Sequence, residues 1–280
     1  MAHNPLVRVL GDYLRDPQHW LRNLTWRFPG AICDRRMVFV VGAPRSGTTL
    51  LQRVLAVHSG FFTIPEETGL FSHQNIFTRR HFGLSDRDTR RLLDGSQDIV
   101  DFLDRGIAHL EQERPGRIFV EKTPQHVLAI PFIRRHFPRA AVVHLLRDGR
   151  DCFCSARAHP DIPQRHSVAA FARYWRRCVR AGCPAVPDPG VFQMRYERFA
   201  EEPEAETRRL MDHLGHPLEA VQTDPLRIAE DRRSAVDAFR KLNAPIDAAS
   251  CGRWRHDLSP EHAATFLRIA GRELQRLGYA

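Results

Sequence analysis

Short apolar runs alternate along this chain with longer amphipathic stretches. Four of the runs are rich in valine, isoleucine or leucine, which is typical of strands buried on both faces of a sheet. Helical spacing of apolar residues fills the intervals between them. Strands that alternate with helices predict an α/β fold with a central parallel sheet flanked by helices. The predicted strands are Met37–Val41, Ile118–Val120, Ala141–Leu146 and Val191–Arg195.

The amphipathic stretches define the helices and the extent of the domain. The chain has no internal repeat, and its length suits one large domain, so we predict a single domain over residues 1–280. Residues 1–30 form an N-terminal helical segment in this interpretation, interrupted at Pro17, and residues 243–280 form a C-terminal loop and closing helix. The other helices are predicted at Thr48–Val57, Ser85–Glu113, Gln125–His136, Arg150–Ala158, Ser167–Arg180 and Glu202–Leu214, and the closing helix at Glu261–Leu277.

A glycine-rich loop, Gly42–Gly47, joins the first strand to the first helix after it. Strand, glycine loop and helix are the context of a phosphate-binding P-loop. Backbone N–H groups of Ser46 to Thr49 would face an anion at the helix start, and Arg45 adds a bidentate cation. Thr48 stands where nucleoside triphosphatases carry a lysine, which argues against a magnesium nucleotide. The alternative is a glycine turn capped by a threonine.

The nine residues from Gly42 to Leu50 (GAPRSGTTL) resemble the 5′-phosphosulfate loop of sulfotransferases that use 3′-phosphoadenosine 5′-phosphosulfate (PAPS) and release PAP. In that family a Lys or Arg directly before Ser-Gly-Thr binds the bridging and sulfuryl oxygens without a metal, and Arg45 holds that position. The resemblance implies a P-loop NTPase-like sulfotransferase fold and a hydroxyl-bearing acceptor. It also implies that the 5′ end of PAPS is bound by Arg45, Ser46, Gly47, Thr48 and Thr49.

A second motif follows the third predicted strand. The family places an arginine after a strand and a serine eight positions later, and Arg147 and Ser155 match that spacing. The resemblance implies that they bind the 3′-phosphate, which suits an arginine and a hydroxyl near a helix start. The alternative is a charged helix start with Asp148 and Asp151 as capping and first-turn acids.

Two weaker elements complete the resemblance. Tyr196 matches the family's strand-end Tyr-Glu pair, whose tyrosine lies near the adenine; a tyrosine at a strand end can also be a core residue. Arg253 lies in a C-terminal loop that the family folds over the nucleotide, and it either contacts the 3′-phosphate or is a surface arginine beside Trp254. Tyrosylprotein sulfotransferases have a serine two residues before that tryptophan, where this chain has Gly252, with Ser250 nearby.

The base that takes the acceptor's proton is predicted in the segment Ile64–Thr68 (IPEET). This segment resembles tyrosylprotein sulfotransferases, the group closest in motif pattern, whose second glutamate is the base. That residue corresponds to Glu67. One extra residue precedes the glutamate pair here, so Glu66 remains the alternative. Cytosolic sulfotransferases use a histidine instead, and the histidines next to the motif segments are His58, His126 and His159.

Lys122 is the predicted electrostatic acid. Among 42 basic residues only Lys122 and Lys241 are lysine, so a lysine at a strand end is informative. A compact ammonium there suits the leaving phosphate oxygen, and Arg45 would share this role. The tyrosylprotein enzymes also place a catalytic lysine after the corresponding strand. The alternative is a structural ion pair between Lys122 and Glu121.

Composition limits the other classes of function. A net charge of +9 favours anionic partners, but the arginines are spread along the chain, so we expect no nucleic-acid partner. The six cysteines contain no Cys-x-x-Cys pair, and we expect no metal. No apolar run approaches the roughly 20 residues of a membrane helix, and no signal-peptide core is found, so we expect a cytoplasmic protein. A magnesium-ATP kinase and a nucleic-acid-binding protein are the alternative functions.

The acceptor is the part of the function that the sequence leaves open. Peptide tyrosine, small phenols, lipids and carbohydrates all remain possible acceptors, and the oligomeric state is open as well. Acceptor pockets are formed by variable loops. We expect them here at Phe71–His81 and Asp161–Phe171.

Overall fold

The computed structural model describes residues 17–72, 76–184, 186, 188–224 and 248–279. Its centre is a five-stranded sheet in the order β2-β3-β1-β4-β5, in which every neighbouring pair is parallel. The predicted α/β fold with a central parallel sheet is confirmed. The strands are β1 (Met37–Gly42), β2 (Phe61–Thr63), β3 (Ile118–Lys122), β4 (Ala141–Leu146) and β5 (Val191–Arg195).

Helices cover both faces of this sheet, which explains why its strands are continuous apolar runs. The helices are α1 (Pro17–Thr25), α2 (Thr48–Ala56), α3 (Asp86–Gly95), α4 (Ile99–Glu111), α5 (Ile130–His136), α6 (Gly149–Ala156), α7 (Val168–Gly182), α8 (Tyr196–Glu201), α9 (Pro203–Leu214), α10 (Trp254–Asp257) and α11 (Pro260–Arg276). Short 3₁₀ segments lie at Ile76–Thr78, Pro124–Ala129, Ala220–Gln222 and Ala248–Ser250.

The central strand β1 separates two layers of the core. All six of its residues are buried. Val38 and Val40 join a cluster with α2, whereas Met37, Phe39 and Val41 join the larger cluster on the opposite face. Because β1 lies between β3 and β4, its carboxyl end, where the glycine loop begins, is flanked by the ends of both neighbours.

Several elements differ from the sequence prediction. The predicted helix Gln125–His136 is a 3₁₀ segment followed by α5, and the short helices α8 and α10 were not predicted. Strand β2 was missed because it has only three residues, too few for a period to be read, although it pairs in parallel with β3. The predicted helix Ser85–Glu113 is two helices, α3 and α4. The break occurs at Asp98, whose side chain accepts hydrogen bonds from the N–H groups of Val100 and Asp101 and so begins a new helix.

Several sequence predictions fall partly on residues outside the described ranges. Residues 1–16 and 243–247 do so, as do Lys241 and residues 73–75 of the predicted acceptor loop. Pro17 begins α1, where its fixed φ and missing N–H suit the first turn. The closing helix α11 packs on α7 with Phe266, Ala270 and Leu274 buried. No helix within the described ranges combines the length and the apolarity needed to cross a membrane.

Candidate active site

The glycine loop presents an uncapped helix N-terminus. Gly47 precedes α2 with a left-handed φ of 101°, and no side chain caps the helix. The alternative of a threonine-capped turn is therefore wrong. Arg45 also has a positive φ of 69°, a conformation that is costly outside glycine. Backbone strain of this kind and first-turn N–H groups without a side-chain acceptor are features of an anion-binding loop.

Glycines in the loop let side chains of the site approach the main chain closely. A Cβ on Gly42 would lie 2.6 Å from the Ser46 Oγ, and one on Gly47 would lie 2.5 Å from the ring of Tyr196. The Ser46 Oγ is buried and has no hydrogen-bond partner among the described residues. A buried hydroxyl without a partner at a helix N-terminus suits an acceptor oxygen supplied by a ligand.

Arg147, which follows β4, is buried beside the loop. Its guanidinium donates to the main-chain oxygen of Arg45 at 3.1 Å and to that of Ser250 at 2.8 Å. It also lies 4.1 Å from the centroid of the Tyr196 ring. Its Nε has no partner within the described part of the chain, and no described carboxylate forms an ion pair with it. Carbonyl oxygens and a ring hold this cation, so its charge is still available to an anion.

Arg45 and Ser155 contact each other beside Arg147. The Arg45 Nε donates to the Ser155 Oγ at 2.9 Å. Burial, and then the positive charge of Arg147, lower the pKa of Arg45. Two guanidinium groups this close repel each other, and a bound phosphate or sulfate would relieve that repulsion. The sequence motifs that contain these three residues therefore meet at one place.

The C-terminal loop closes over the same place. The Tyr196 hydroxyl and the Ser250 Oγ are 2.8 Å apart. Asp151, buried in α6, fixes the loop by accepting hydrogen bonds from the N–H groups of Gly252 (2.7 Å) and Trp254 (2.9 Å). Asp151 is thus a loop anchor, and Ser250, which the sequence left in doubt, contacts the site residues.

Arg253 is held in an ion pair. Its Nε donates to the Asp257 Oδ2 at 2.6 Å, one helical turn further along the chain. The side chain is 35% exposed and belongs to the loop that covers the site. Its contact with the 3′-phosphate stays a prediction.

Glu67 and Lys122, the predicted base and acid, contact each other. The Lys122 Nζ donates to the Glu67 Oε1 at 2.7 Å. The lysine side chain is 5% exposed and the glutamate side chain 40% exposed. The alternative pair of Lys122 with Glu121 is wrong, because Glu121 bonds to Thr68, Thr123 and His126. Their roles in the reaction remain predictions.

Two of the three histidine alternatives have both ring nitrogens engaged in the fold. His126 faces the Glu121 Oε2 through Nδ1 (3.0 Å) and accepts from the Phe71 N–H through Nε2 (3.1 Å). His58 accepts from the Gly60 N–H through Nδ1 and donates to the main-chain oxygen of Pro217 through Nε2. It follows the C-terminal end of α2, about 13 Å along the axis from the loop.

His159 differs from the other two histidines because it lies near the site. Burial and the positive charge of Arg45 lower the pKa of its imidazole. Glu66, the alternative base, is exposed. No group of three or more His, Cys, Asp or Glu side chains that could hold a metal ion is found in the described ranges.

Known proteins identify the family. A family model described as the Sulfotransferase family matches residues 37–220, more than half of the chain. The chain belongs to the sulfotransferase family. The resemblance to the sulfotransferase family stated from the sequence is confirmed. The kinase and nucleic-acid alternatives find no support among the matched proteins.

The curated relatives include tyrosine-modifying enzymes. Protein-tyrosine sulfotransferase 1 of Danio rerio is 25% identical over 88% of this chain and 73% of its own length. The nodulation protein NoeE of Sinorhizobium fredii is 26% identical over 86% of this chain and 65% of its own length. A matched Aquifex aeolicus protein, 27% identical over 79% of this chain, is much longer, and the match spans 31% of it. The chain thus covers from a third to about three quarters of these relatives.

Solved structures show the same fold. The sulfotransferase domain of the Synechococcus PCC 7002 olefin synthase has a TM-score of 0.64 and 20% identity, covering 88% of this chain and 96% of that domain. Mouse sulfotransferase SULT7A1, solved in complex with PAP, has a TM-score of 0.56 and 16% identity, covering 91% and 89%. At these identities the likeness defines the fold and leaves the acceptor open.

Proposed function

We propose that the chain transfers the sulfuryl group of PAPS to a hydroxyl of an acceptor. The observation that carries this proposal is the meeting of two arginines, the half-buried Arg45 and the buried Arg147, at the uncapped N-terminus of α2. Such a place binds anions through charge and main-chain N–H groups together. The 5′ end of PAPS would lie on residues 45–49, and its 3′-phosphate on Arg147 and Ser155. Tyr196 and Arg253 would contribute the adenine and loop contacts.

The proposed chemistry needs a base, a cation and an in-line arrangement. Bound PAPS supplies an activated sulfuryl group, whose bond to the phosphate oxygen breaks as the bond to the acceptor oxygen forms. Glu67 would accept the acceptor's proton, and its partial exposure leaves it open to an entering molecule. Lys122 and Arg45 would neutralise the charge that develops on the leaving phosphate oxygen.

The acceptor that we propose to test first is a peptide tyrosine. Its support is the similarity to protein-tyrosine sulfotransferases and the Glu-Glu-Thr segment at residues 66–68. Small phenols, lipids and carbohydrates are the other acceptor classes. We also propose a cytoplasmic location, which the six free cysteines favour because reducing compartments keep thiols unpaired.

The decisive experiment compares two nucleotides as stabilising ligands. We expect PAP without metal to raise the unfolding temperature, because a ligand at about 100 times its Kd adds about 2.7 kcal/mol of stability. Magnesium-ATP should add much less. Stabilisation by magnesium-ATP alone would contradict the proposal and favour a kinase. Transfer of radiolabelled sulfate from PAPS to a panel of tyrosine peptides, phenols, lipids and sugars would then identify the acceptor class.

A further inference from the structure

Glu121 on β3 is a fully buried carboxylate for which the proposed mechanism has no use. Its Oε1 accepts hydrogen bonds from the hydroxyls of Thr68 (2.7 Å) and Thr123 (2.6 Å), and its Oε2 faces His126 Nδ1 at 3.0 Å. Burial acts to raise the pKa of Glu121, but His126 and the two hydroxyls outweigh it and lower the pKa. Both carboxylate oxygens of Glu121 therefore accept hydrogen bonds, and three groups fix its position.

The same network holds the loop that follows Glu67. The Phe71 N–H donates to His126 Nε2 at 3.1 Å. Because that nitrogen must be an acceptor, Nδ1 carries a proton and donates to Glu121. The Gly69 N–H donates to the Thr123 Oγ1 at 3.2 Å. The loop is thus attached to the end of β3 at three points within four residues.

Glu121 lies on the opposite face of the sheet from Lys122. In the register of β1 and β3, Glu121 is opposite Phe39 and Lys122 is opposite Val40. Phe39 belongs to the core cluster away from α2, and Val40 belongs to the cluster that contains α2. Lys122 therefore shares a face with the glycine loop and its helix, whereas Glu121 does not and acts on the site only through other residues.

Consecutive loop residues bond to consecutive strand residues. Glu67 bonds to Lys122, and Thr68 bonds to Glu121. The first contact is partly exposed and contains the proposed base, whereas Thr68 is only 6% exposed. The buried contact sets where the neighbouring exposed residue can lie.

We propose that Glu121 is a positioning residue, which places the Glu67 carboxylate by holding Thr68 to the end of β3. This inference rests on the proposed roles of Glu67 and Lys122. A displacement of about 1 Å in a reacting group can cost about a hundredfold in rate. Loss of the Thr68 contact should therefore reduce turnover without touching the nucleotide.

The test is Thr68→Val, which removes the hydroxyl and nearly keeps the shape of the side chain. We expect kcat to fall about tenfold to hundredfold, with the Kd for PAP unchanged. Thr68→Ser restores the donor and should restore most of the turnover. The matched control is Thr207→Val, which removes a buried hydroxyl that donates to the main-chain oxygen of Pro203 in α9. Its kcat should stay at the wild-type value.

A second variant addresses Glu121 itself and covers the case in which Thr68→Val unfolds. Glu121→Gln replaces one carboxylate oxygen by an amide N–H₂ group and keeps the other as an amide oxygen. An N–H₂ group facing His126 would meet the Nδ1 proton, and the ring cannot change tautomer while Phe71 donates to Nε2. An N–H₂ group facing the threonines would lose the acceptor that they need. We expect the same loss of kcat at unchanged PAP affinity.

The outcomes separate this inference from the proposed function. If Glu67→Gln abolishes turnover while folded Thr68→Val and Glu121→Gln keep it, the positioning role is overturned and the proposed base stands. If Glu67→Gln itself keeps turnover, both are overturned. Equal losses in kcat and in PAP affinity for the Thr68 and Glu121 variants would indicate general loosening of the fold, and would also overturn the inference.

Discussion

The two sides of the site balance their charges in different ways. On the β4 and β5 side, the half-buried Arg45 bonds to Ser155. The buried Arg147 bonds to main-chain oxygens and lies over the face of Tyr196. The carboxylates of Asp151 and Glu197 nearby are already bonded to main-chain N–H groups. Among the described residues, no carboxylate forms an ion pair with Arg147, and its Nε has no hydrogen-bond partner.

On the β3 side the two ionisable groups of the strand end both have bonding partners. Lys122 bonds to Glu67, and Glu121 accepts hydrogen bonds from His126 and two hydroxyls. The side chains of the β3 side hold one another in place. This difference favours the proposal that the first side binds an anion and that the second takes part in the transfer chemistry. The two sides should therefore fail differently when mutated, one in nucleotide affinity and the other in turnover.

The largest expected effect of a mutation is on the β3 side. Glu67→Gln keeps an amide oxygen for Lys122 but removes the base, so we expect kcat to fall roughly 10²-fold to 10⁴-fold. The Kd for PAP should stay within about twofold of the wild-type value, since the residues proposed to bind the nucleotide are unchanged. Single-turnover kinetics and calorimetric titration measure the two quantities.

Glu66→Gln is the matched control for this variant. It removes an adjacent, exposed carboxylate and should leave turnover near the wild-type value. A larger loss in Glu66→Gln than in Glu67→Gln would move the base to Glu66. Full turnover in both variants would transfer the role to His159, which is the remaining titratable candidate near Arg45.

The second largest effect is expected on the β4 and β5 side. Arg147→Met removes the cation that would bind the 3′-phosphate, and hydrogen bonds to charged groups contribute about 1.5–3 kcal/mol. We expect the Kd for PAP to rise about tenfold to hundredfold. The turnover number at saturating PAPS should fall much less. Calorimetric titration with PAP measures the affinity, and steady-state kinetics measures the turnover number at saturating PAPS.

The ligand-free protein supplies a second measurement on this variant. Because Arg147→Met relieves the repulsion with Arg45, its unfolding temperature without ligand should not drop as that of a broken ion pair would. The control is Arg180→Met, which breaks an ion pair with Glu273 and should leave PAP affinity unchanged. Unchanged PAP affinity in Arg147→Met would exclude it from the nucleotide site.

The strands and motif positions were predictable because their signals are local. Runs such as Met37–Val41 mark buried strands, and polar residues after parallel strands must gather at one edge, which brings Arg45, Arg147 and Tyr196 together. The roles of these residues in binding PAPS stay predictions. The sequence predicted at which edge of the sheet these residues lie. It did not predict which atoms they contact there.

The contacts on the β3 side were beyond sequence reasoning. The partner of Lys122 depends on how the chain leaves β2, a three-residue strand with no readable period. Glu121 was an alternative ion-pair partner for Lys122 because the two residues are adjacent in sequence. Adjacent residues of a strand, however, point to opposite faces of the sheet. The segment Glu66–Thr68 carried a signal for the base only, and nothing in it marked Thr68 as the residue that joins the loop to a buried carboxylate.

Tyr279 adds a further hydrogen-bonded residue to the β4 and β5 side. The Tyr279 hydroxyl donates to the Glu197 Oε2 at 2.9 Å, and the Glu197 Oε1 accepts from the Asp148 N–H at 2.9 Å. Asp148 in turn caps α6 by accepting from the Arg150 N–H. Arg147 directly precedes this cap, and Ser155 lies on α6. Hydrogen bonds therefore run from Tyr279 to Asp148, the residue that follows Arg147 and begins the helix carrying Ser155.

The smallest predicted effect is the loss of that hydroxyl in Tyr279→Phe. A single hydrogen bond contributes about 0.5–1.5 kcal/mol, so the Kd for PAP should rise about twofold to tenfold. The kcat at saturating PAPS should be retained, because the Glu67 side is untouched. The control is Arg276→Met, which removes a hydrogen bond from α11 to the main-chain oxygen of Cys183. An equal loss of PAP affinity in both variants would mean that the tyrosine only helps to dock α11. A loss of kcat in Tyr279→Phe would contradict the independence of the two sides.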